Sequence, residues 1–275
     1  MNYGKAKKIL IFLFLFLNLF LIFQLMHLSK SDTKLNPDSV EKTIALLKKN
    51  NISADKKDIP KSVEILDYLE LYNPMSDEKE FFSTLSGKEK RMENNTFFLT
   101  ESIPIENENQ SAILSEIRKA GFKNNKYIFS HFITNDITGE KKYYFRQTYN
   151  DYPITGSYIC ASVSKNTITE ISGSVYKALT VKYTDYQILS PLQILLDIGA
   201  SYSGKGAEYK AFSQSYYIAP DALSYTNLTA IPCYVLNVND NNLFYDSVTG
   251  EFLKMDTQNG GTIYEKEEAF SYLSK

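Results

Sequence analysis

The longest unbroken apolar run of the chain lies near its start. From Ile9 to Leu28 nearly every residue is Ile, Leu, Phe or Met. A helix rises about 1.5 Å per residue, so a run of about 20 residues covers the roughly 30 Å hydrocarbon core of a bilayer. We therefore predict a transmembrane helix over residues 9–28.

The alternative for this run is a cleaved signal peptide. Its apolar region would be shorter, about 7–15 residues, and would lead to small residues at a cleavage site. Here the run continues into HLSKSD, residues 27–32, without a correctly spaced pair of small residues. A lipoprotein anchor would need a cysteine directly after the run, whereas the two cysteines are Cys160 and Cys233. The pattern favours an uncleaved anchor.

The charges before the run predict its orientation. Lys5, Lys7 and Lys8 precede it with no acidic residue among them. The positive-inside rule then leaves residues 1–8 as a cytoplasmic tail and places the chain after the helix outside the cell membrane. No second apolar run of comparable length follows, so we predict a single-pass membrane protein. Residues 29–35 are polar and form a predicted stalk.

Residues 36–123 alternate between helical and strand-like patterns and form a predicted first α+β lobe. Asn36 and Pro37 offer capping chemistry before a helix whose apolar positions are Val40, Ile44 and Leu47. The further elements predicted here are a strand in SVEILDYLELYN from residue 62, a short helix in SDEKEFFSTLSG from residue 76, a strand in TFFLT at residues 96–100, and a helix in NENQSAILSEIRKAGF that ends at Gly121.

Residues 124–275 change to a period of two and form a predicted second α+β lobe. Four consecutive strands, KYIFSHFIT, KKYYFRQTYN, YPITGSYICASVSK and TITEISGSVYKAL, are joined by short turns and predict an antiparallel meander. SPLQILLDIGASY, with Ser190 as the cap and Pro191 next, predicts a helix that covers the sheet. Strands follow around YKAFSQSYYIA, AIPCYVLNV, NNLFYD and EFLKM. The predicted fold class is α+β with an antiparallel sheet.

The charge balance argues against one class of partner. The chain has 30 basic and 32 acidic residues, and outside the cytoplasmic tail 27 basic face 32 acidic ones with the signs interspersed. Nucleic acid is not expected as a partner, because binding phosphates requires a clustered basic face. Abundant Lys, Asn, Ile and Tyr without Trp is a bias typical of AT-rich genomes and hints at a low-GC bacterium.

One short motif occurs twice between strands. Thr138-Gly139-Glu140 follows Asp136, and Thr249-Gly250-Glu251 follows Asp246. The simpler interpretation is that glycine supplies the positive φ that a tight hairpin requires. The alternative is an internal duplication.

Few residue patterns in the outer region point to catalysis, and we predict neither an enzyme nor a cofactor. His131 lies in an apolar strand and is predicted to be packed or half-exposed rather than a ligand. Residues 199–203, GASYS, lack the second glycine of a nucleophile elbow. Cys160 and Cys233 lie in apolar strand patterns, which disfavour thiolates. The two cysteines are either buried thiols, which we favour, or one disulfide. Metal-binding spacings such as C-x-x-C are absent from the sequence.

Asn18 is the notable polar residue of the predicted anchor. It lies in the middle of the helix, where an amide without a partner is costly in lipid. Ile11, Phe14, Leu21 and Leu25 share its face. This face is the predicted partner-binding site, with the lipid bilayer around the rest of the helix. Asn18 either contacts a second helix or is a single amide tolerated in a strongly apolar segment.

Several segments resemble one protein family. Residues 1–8, MNYGKAKK, run straight into the apolar helix, like the short opening of the YycI family, although Tyr3 stands where that family usually has Trp. Residues 152–156, YPITG, precede a strand. Residues 231–235, IPCYV, are followed by LFYD at 243–246 and TGE at 249–251, with Tyr234 in the family's aromatic position. The chain as a whole resembles the YycI family.

The resemblance implies a regulatory function. YycI proteins are membrane-anchored regulators of the WalK/WalR two-component system of cell-wall metabolism in low-GC Gram-positive bacteria. The implied partners are a WalK-type sensor histidine kinase and a YycH-like protein, reached through the transmembrane helix and the outer region. The implied outer fold resembles part of YycH. An alternative from the residues themselves is a PepSY-like binding or inhibitory module acting on a protease or cell-wall hydrolase, suggested by the two TGE hairpins. An anchored cell-wall enzyme has the least support.

Overall fold

The computed structural model describes residues 13–14, 17–18, 33–123, 125–182, 187–202, 204, 206–258 and 261–274. Leu13, Phe14, Leu17 and Asn18 have helical backbone. The helices of the outer region are α1 (Pro37–Lys49), α2 (Glu78–Ser83), α3 (Gln110–Lys119), α4 (Pro191–Ser201) and α5 (Lys266–Leu273). Its strands are β1 (Thr33–Lys34), β2 (Ile52–Ala54), β3 (Ser62–Val63), β4 (Tyr68–Tyr72), β5 (Glu89–Glu93), β6 (Thr96–Pro104), β7 (Lys126–Thr134), β8 (Lys141–Tyr149), β9 (Tyr152–Ser164), β10 (Thr167–Ser174), β11 (Lys177–Lys182), β12 (Ala207–Tyr217), β13 (Asn227–Val238), β14 (Asn241–Asp246), β15 (Phe252–Asp256) and β16 (Thr262–Ile263).

The helices begin where their capping residues predict. The Asn36 side chain accepts a hydrogen bond from the backbone N–H of Asp38 at the start of α1. Asn109 does the same for Ala112 in α3. At α4, Ser190 and Gln193 form a reciprocal capping box with Pro191 in the first turn. The predicted helices in these three segments are confirmed, and so is the short helix α2 after Asp77.

Two predicted strands are interrupted. The segment from residue 62 forms β3 and β4 with an irregular stretch between them, where the Gln214 side chain bonds both backbone groups of Glu64 at 3.1 and 2.8 Å. The segment from residue 167 stops at Ser174 and resumes as β11. Val175 and Tyr176 turn into the core between the two parts, so β11 pairs with β4 and not with the meander.

Fourteen of the described strands form one sheet, and β1 pairs with β3 separately. Strands β7 to β10 make the predicted antiparallel meander, and β12 to β15 make a second one. The two meanders meet where Ile154 and Thr155 of β9 pair with Tyr216 and Tyr217 of β12 in parallel. We call this junction the seam.

The sheet is mixed, which corrects the prediction of a purely antiparallel sheet. Besides the seam, β12 also pairs in parallel with β2. Parallel neighbours need a long crossover, and the chain from β9 to β12 supplies one through β10, β11 and α4. Strands from residues 36–123 and from residues 124–275 pair with each other in this sheet, for example β6 with β10 and β4 with β13. The α+β class stands, and the predicted division into two lobes stays a prediction.

Two large apolar clusters hold the helices against the sheet. In one cluster Ile113 and Ile117 of α3 pack with the inner face of the first meander, including Phe145 and Ile159. The other cluster joins α1, α4 and α5 to the second meander, and the predicted covering helix α4 buries Leu195 and other apolar residues there. The buried Tyr234 keeps a hydrogen bond, since its hydroxyl donates to the Leu189 carbonyl at 2.8 Å.

The two TGE hairpins have the same hydrogen bonds. Asp246 Oδ1 accepts from the backbone N–H groups of Val248 and Thr249, and Thr249 Oγ1 accepts from that of Glu251. The matching turn uses Asn135 in place of Asp246, with Thr138 bonding Glu140. The glycines have φ of 70° and 76°, as the hairpin interpretation predicts. The equivalent capping residue is thus Asn135 and not Asp136.

Candidate functional site

Two residues of the predicted partner-binding face belong to the described structure. Phe14 and Asn18 are both helical and exposed, and their spacing of four places them on one helix face. Ile11, Leu21 and Leu25 lie outside the described residues. None of the helices that the structure describes combines the length and apolar character needed to cross a bilayer. Residues 9–28 lie almost wholly outside that description, so the anchor and its face stay predictions.

The described outer region has a cleft of about 230 Å³ at the seam. Its floor is the β9 backbone around Gly156, and its two walls come from different meanders. One wall carries His131, Tyr144 and Arg146, and the other carries Lys254 and Asp256. We call this the seam cleft. Sequence reasoning missed it because nothing in the strand pattern indicates that β8 and β15 lie near each other.

The first wall is aromatic and basic. The rings of His131 and Tyr144 stack with centroids 4.7 Å apart and an interplanar angle of 10°. Ser130 Oγ lies 3.0 Å from His131 Nδ1. Partial burial, and then the neighbouring Arg146, lower the pKa of His131. The imidazole is therefore neutral near pH 7, and Arg146 is the permanent positive charge of this wall. His131 is exposed on β7, rather than packed or half-exposed as predicted.

The second wall is a buried lysine that is paired with a partly exposed aspartate and lies against an aromatic ring. Lys254 Nζ lies 2.8 and 2.9 Å from the two carboxylate oxygens of Asp256 and 4.6 Å from the centre of the Phe244 ring. The Lys254 side chain is only 11% exposed. Its charge is thus matched within the wall, whereas Arg146 has no ion-pair partner among the described residues. The cleft therefore presents one unmatched cation.

The two cysteines are free and buried. Burial raises the pKa of the Cys160 thiol to about 11 and raises that of Cys233 as well. Both side chains are consequently protonated at neutral pH and poor nucleophiles. The prediction of two buried thiols is confirmed for the described structure.

A second, larger cleft of about 510 Å³ lies between the end of the first meander and α2. Phe81, Phe122 and Val175 give it apolar walls. The nearby Gln147 side chain is buried and joins Ser157 to the backbone of Tyr176. These contacts fix the shape of the sheet end and offer no reactive group.

The side chains of the seam cleft include a cation and aromatic rings. Across the part of the chain that the structure describes, no three His, Cys, Asp or Glu side chains come together as a metal site requires. His131 has a hydroxyl and an aromatic ring beside it, without a carboxylate to orient it as a general base. The groups present can attract an anion or stack on a ring.

Comparison with known proteins gives one positive result. No curated protein matches the chain. A family model described as YycI protein matches residues 30–242, from the predicted stalk through the first strands of the second meander. The matched part contains the segments 152–156 and 231–235 and most of the described sheet, including the seam. Because the match covers well over half of the sequence, the chain belongs to the YycI family.

Proposed function

We propose that this protein is a non-enzymatic, membrane-anchored regulator of a WalK-type sensor histidine kinase that controls cell-wall metabolism. The observation that carries the proposal is the YycI family match over residues 30–242, because this is a family of regulators and not of known enzymes. The family also implies association with the WalK system, and a YycH-like protein is the second proposed partner.

The sequence before the matched region supports contact inside the membrane. Residues 9–28 are long and apolar enough to span a bilayer, with Asn18 at mid-depth. Phe14 and Asn18 share an exposed helix face. An amide on such a face is stabilised by a hydrogen bond to another helix, by about 0.5–2 kcal/mol in model systems. We therefore propose the face of Ile11, Phe14, Asn18, Leu21 and Leu25 as the contact with the kinase or the YycH-like protein. The outer region would lie on the extracytoplasmic side.

The test exchanges the anchor and keeps the outer region. In one variant residues 9–28 carry the same composition in scrambled order, so that the proposed face is lost. In the matched control only the opposite face is scrambled, and Asn18 with its four neighbours stays. We expect the first variant to lose co-purification with the kinase and its effect on kinase phosphorylation, and the control to keep both. Equal association of both variants would contradict the proposed contact face.

A second candidate is a PepSY-like extracytoplasmic binding module. The two TGE hairpins with matching hydrogen bonds favour it, together with the order of one helix followed by a four-stranded meander, which occurs twice. The readout that separates the candidates is release of the outer region by a protease site placed in the stalk. Full regulation after release would favour the binding module, and loss of regulation would favour the anchored regulator.

A further inference from the structure

Strand β7 is an edge strand that carries one bulge, between Phe129 and His131, but is protected neither by shortness nor by charged residues along residues 127–134. It pairs with β8, and no strand among those described pairs with its other edge. Natural edges are commonly guarded by charged residues or shortness. Other edges of this sheet follow that rule, since β5 reads EKRME, β11 begins and ends with lysine, and β16 has two residues. By contrast, residues 127–134 of β7, YIFSHFIT, carry no acidic residue, Lys or Arg.

Large apolar side chains are exposed along this edge. Ile128, Phe132 and Ile133 are 44%, 53% and 53% exposed. Directly opposite residues of paired strands point to the same side of a sheet. Ile128 lies opposite Arg146 and Ile133 opposite Lys142, on the outer side. Phe132 lies opposite Tyr143, on the core side, because a bulge between Phe129 and His131 changes the alternation.

We propose that a second copy of this chain pairs with β7, antiparallel and about a twofold axis between Ser130 and His131. A twofold contact must be complementary to itself. In this register Ile128 of one copy faces Ile133 of the other, and both lie on the outer side. Phe129 faces Phe132 of the second copy, and both lie on the core side. If the axis lay half a residue away, side chains on the outer side of one copy would face side chains on the core side of the other. The apolar pattern therefore selects the register with the axis between Ser130 and His131.

The aromatic contacts continue across the proposed interface. Within one chain, Phe132 stacks on Tyr143 at 5.6 Å and Phe129 makes an edge contact with Phe145 at 5.9 Å. Pairing would place the two phenylalanines of one copy next to those of the other. The result is a row of rings that runs across the axis on the core side, and aromatic pairs of this kind stabilise adjacent strands.

The charges are compatible with a second copy. Lys126 would face Asn135 of the other copy, next to its Asp136, which brings opposite charges together at both ends of the pair. Lys142 and Arg146 lie one strand inward on the outer side. Three strand spacings, about 14 Å, separate these cations from the same residues of the second copy. This distance exceeds the screening length of about 8 Å in physiological salt. Their repulsion is therefore small.

Cross-linking in the full-length chain tests the register. Opposite residues on paired strands have Cα atoms about 4.5–5.5 Å apart, within reach of a disulfide. In micelles under mild oxidation, the double variant Ile128→Cys, Ile133→Cys should form a covalent dimer through the 128–133 pair, identified by mass spectrometry. The matched control, Glu89→Cys with Glu93→Cys on the charged edge β5, should stay monomeric. Equal cross-linking in both variants, or none in either, overturns the proposal.

Hydrogen exchange gives a second, independent readout. The outward amides of β7 should be protected in the wild type, and Ile133→Lys should speed their exchange at least tenfold. Leu179→Lys on β11 is the control, since Leu179 is equally exposed at 52% and lies on another edge. It should leave β7 unchanged. Free exchange of the β7 amides in the wild type contradicts the pairing.

The cross-linking test has one further outcome. Cross-links from residue 128 only to a different protein would show that another chain occupies this edge, which also overturns the proposal.

Discussion

The imidazole of His131 lies flat on the phenol ring of Tyr144, with 4.7 Å between the ring centroids and 10° between the planes. The two residues are opposite each other on β7 and β8, so the stack follows directly from the strand register. Arg146 lies on the same side of β8 and contributes a permanent positive charge near the imidazole. Protonation of His131 is therefore disfavoured in the folded chain by desolvation and by this neighbouring cation.

The first prediction concerns the pH dependence of stability. The folded state holds the pKa of His131 below its ordinary value of about 6.5, so the unfolded chain takes up this proton first as the pH falls. The free energy of unfolding should decrease between pH 7.5 and pH 5 in the wild type. His131→Gln should remove part of that decrease. Urea unfolding at several pH values checks this, and identical pH profiles of the two proteins would contradict it.

The second prediction concerns the buried Gln147 amide. Its Oε1 accepts from Ser157 and from the backbone N–H of Tyr176, and its Nε2 donates to the Tyr176 carbonyl. Gln147→Ala removes the acceptor of the buried Tyr176 N–H, while Ser157 still donates to the Ser174 carbonyl and the Tyr176 carbonyl still accepts from Asn125. The substitution should lower the free energy of unfolding by about 1–3 kcal/mol. Gln214→Ala is the matched control. That glutamine bonds the backbone of Glu64 near the surface, so its substitution should lower the free energy of unfolding by less than about 1 kcal/mol. Urea unfolding of both variants measures the two losses.

The third prediction compares two glycines with positive φ. A Cβ at Gly173 would collide with the carbonyl oxygen of Tyr158 on the paired strand β9. A Cβ at Gly139 would meet open space at the hairpin tip. Gly173→Ala should therefore lower the free energy of unfolding by about 2–4 kcal/mol, because the two strands must separate. Gly139→Ala should lower it by about 1–2 kcal/mol, which is the cost of a positive φ for a residue with a Cβ. Thermal unfolding of both variants gives the order, and an equal loss would contradict the close approach at Gly173.

The fourth prediction concerns the thiols. A pKa of about 11 leaves roughly 0.1% of Cys160 as thiolate at pH 8, and Cys233 is buried as well. The folded protein should thus react with an aromatic disulfide reagent at least tenfold more slowly than a small free thiol. After unfolding in denaturant, two thiols per chain should react at once. If the unfolded chain showed no reactive thiol without a reductant, the cysteines would be paired.

The elements that depend on neighbours in sequence were predictable. The start of α4 follows from Ser190, Pro191 and Gln193, which are adjacent and form their capping contacts locally. The meander β7 to β10 follows from alternation and short turns for the same reason. In the TGE hairpins the positive φ of the two glycines was predicted correctly, while the capping role of Asn135 was not predicted. Asparagine and aspartate can both cap such turns, so the sequence does not distinguish Asn135 from its neighbour Asp136.

The elements that depend on distant partners were not predictable. Alternation identifies β9 and β12 as strands but carries no information about which strands are neighbours, so neither the parallel seam nor the mixed sheet was expected. The seam cleft was not predictable for the same reason, because Arg146 and Lys254 come together only through the pairing of β9 with β12. Charged residues in strands are usually exposed, and Lys254 is an exception. It is buried because Asp256 and the Phe244 ring compensate its charge, a compensation that sequence alone does not reveal.

Strand β4 lies between two strands from later in the chain, since Tyr68–Tyr72 pairs with β11 on one edge and with Asn227–Ala230 on the other. A growing polypeptide emerges at about 5–20 residues per second, so roughly 10–30 s pass between synthesis of β4 and synthesis of its second neighbour. During that interval an apolar strand with Leu69 and Leu71 has an open edge. Newly made chains should consequently depend on a holding chaperone until residue 230 has been made.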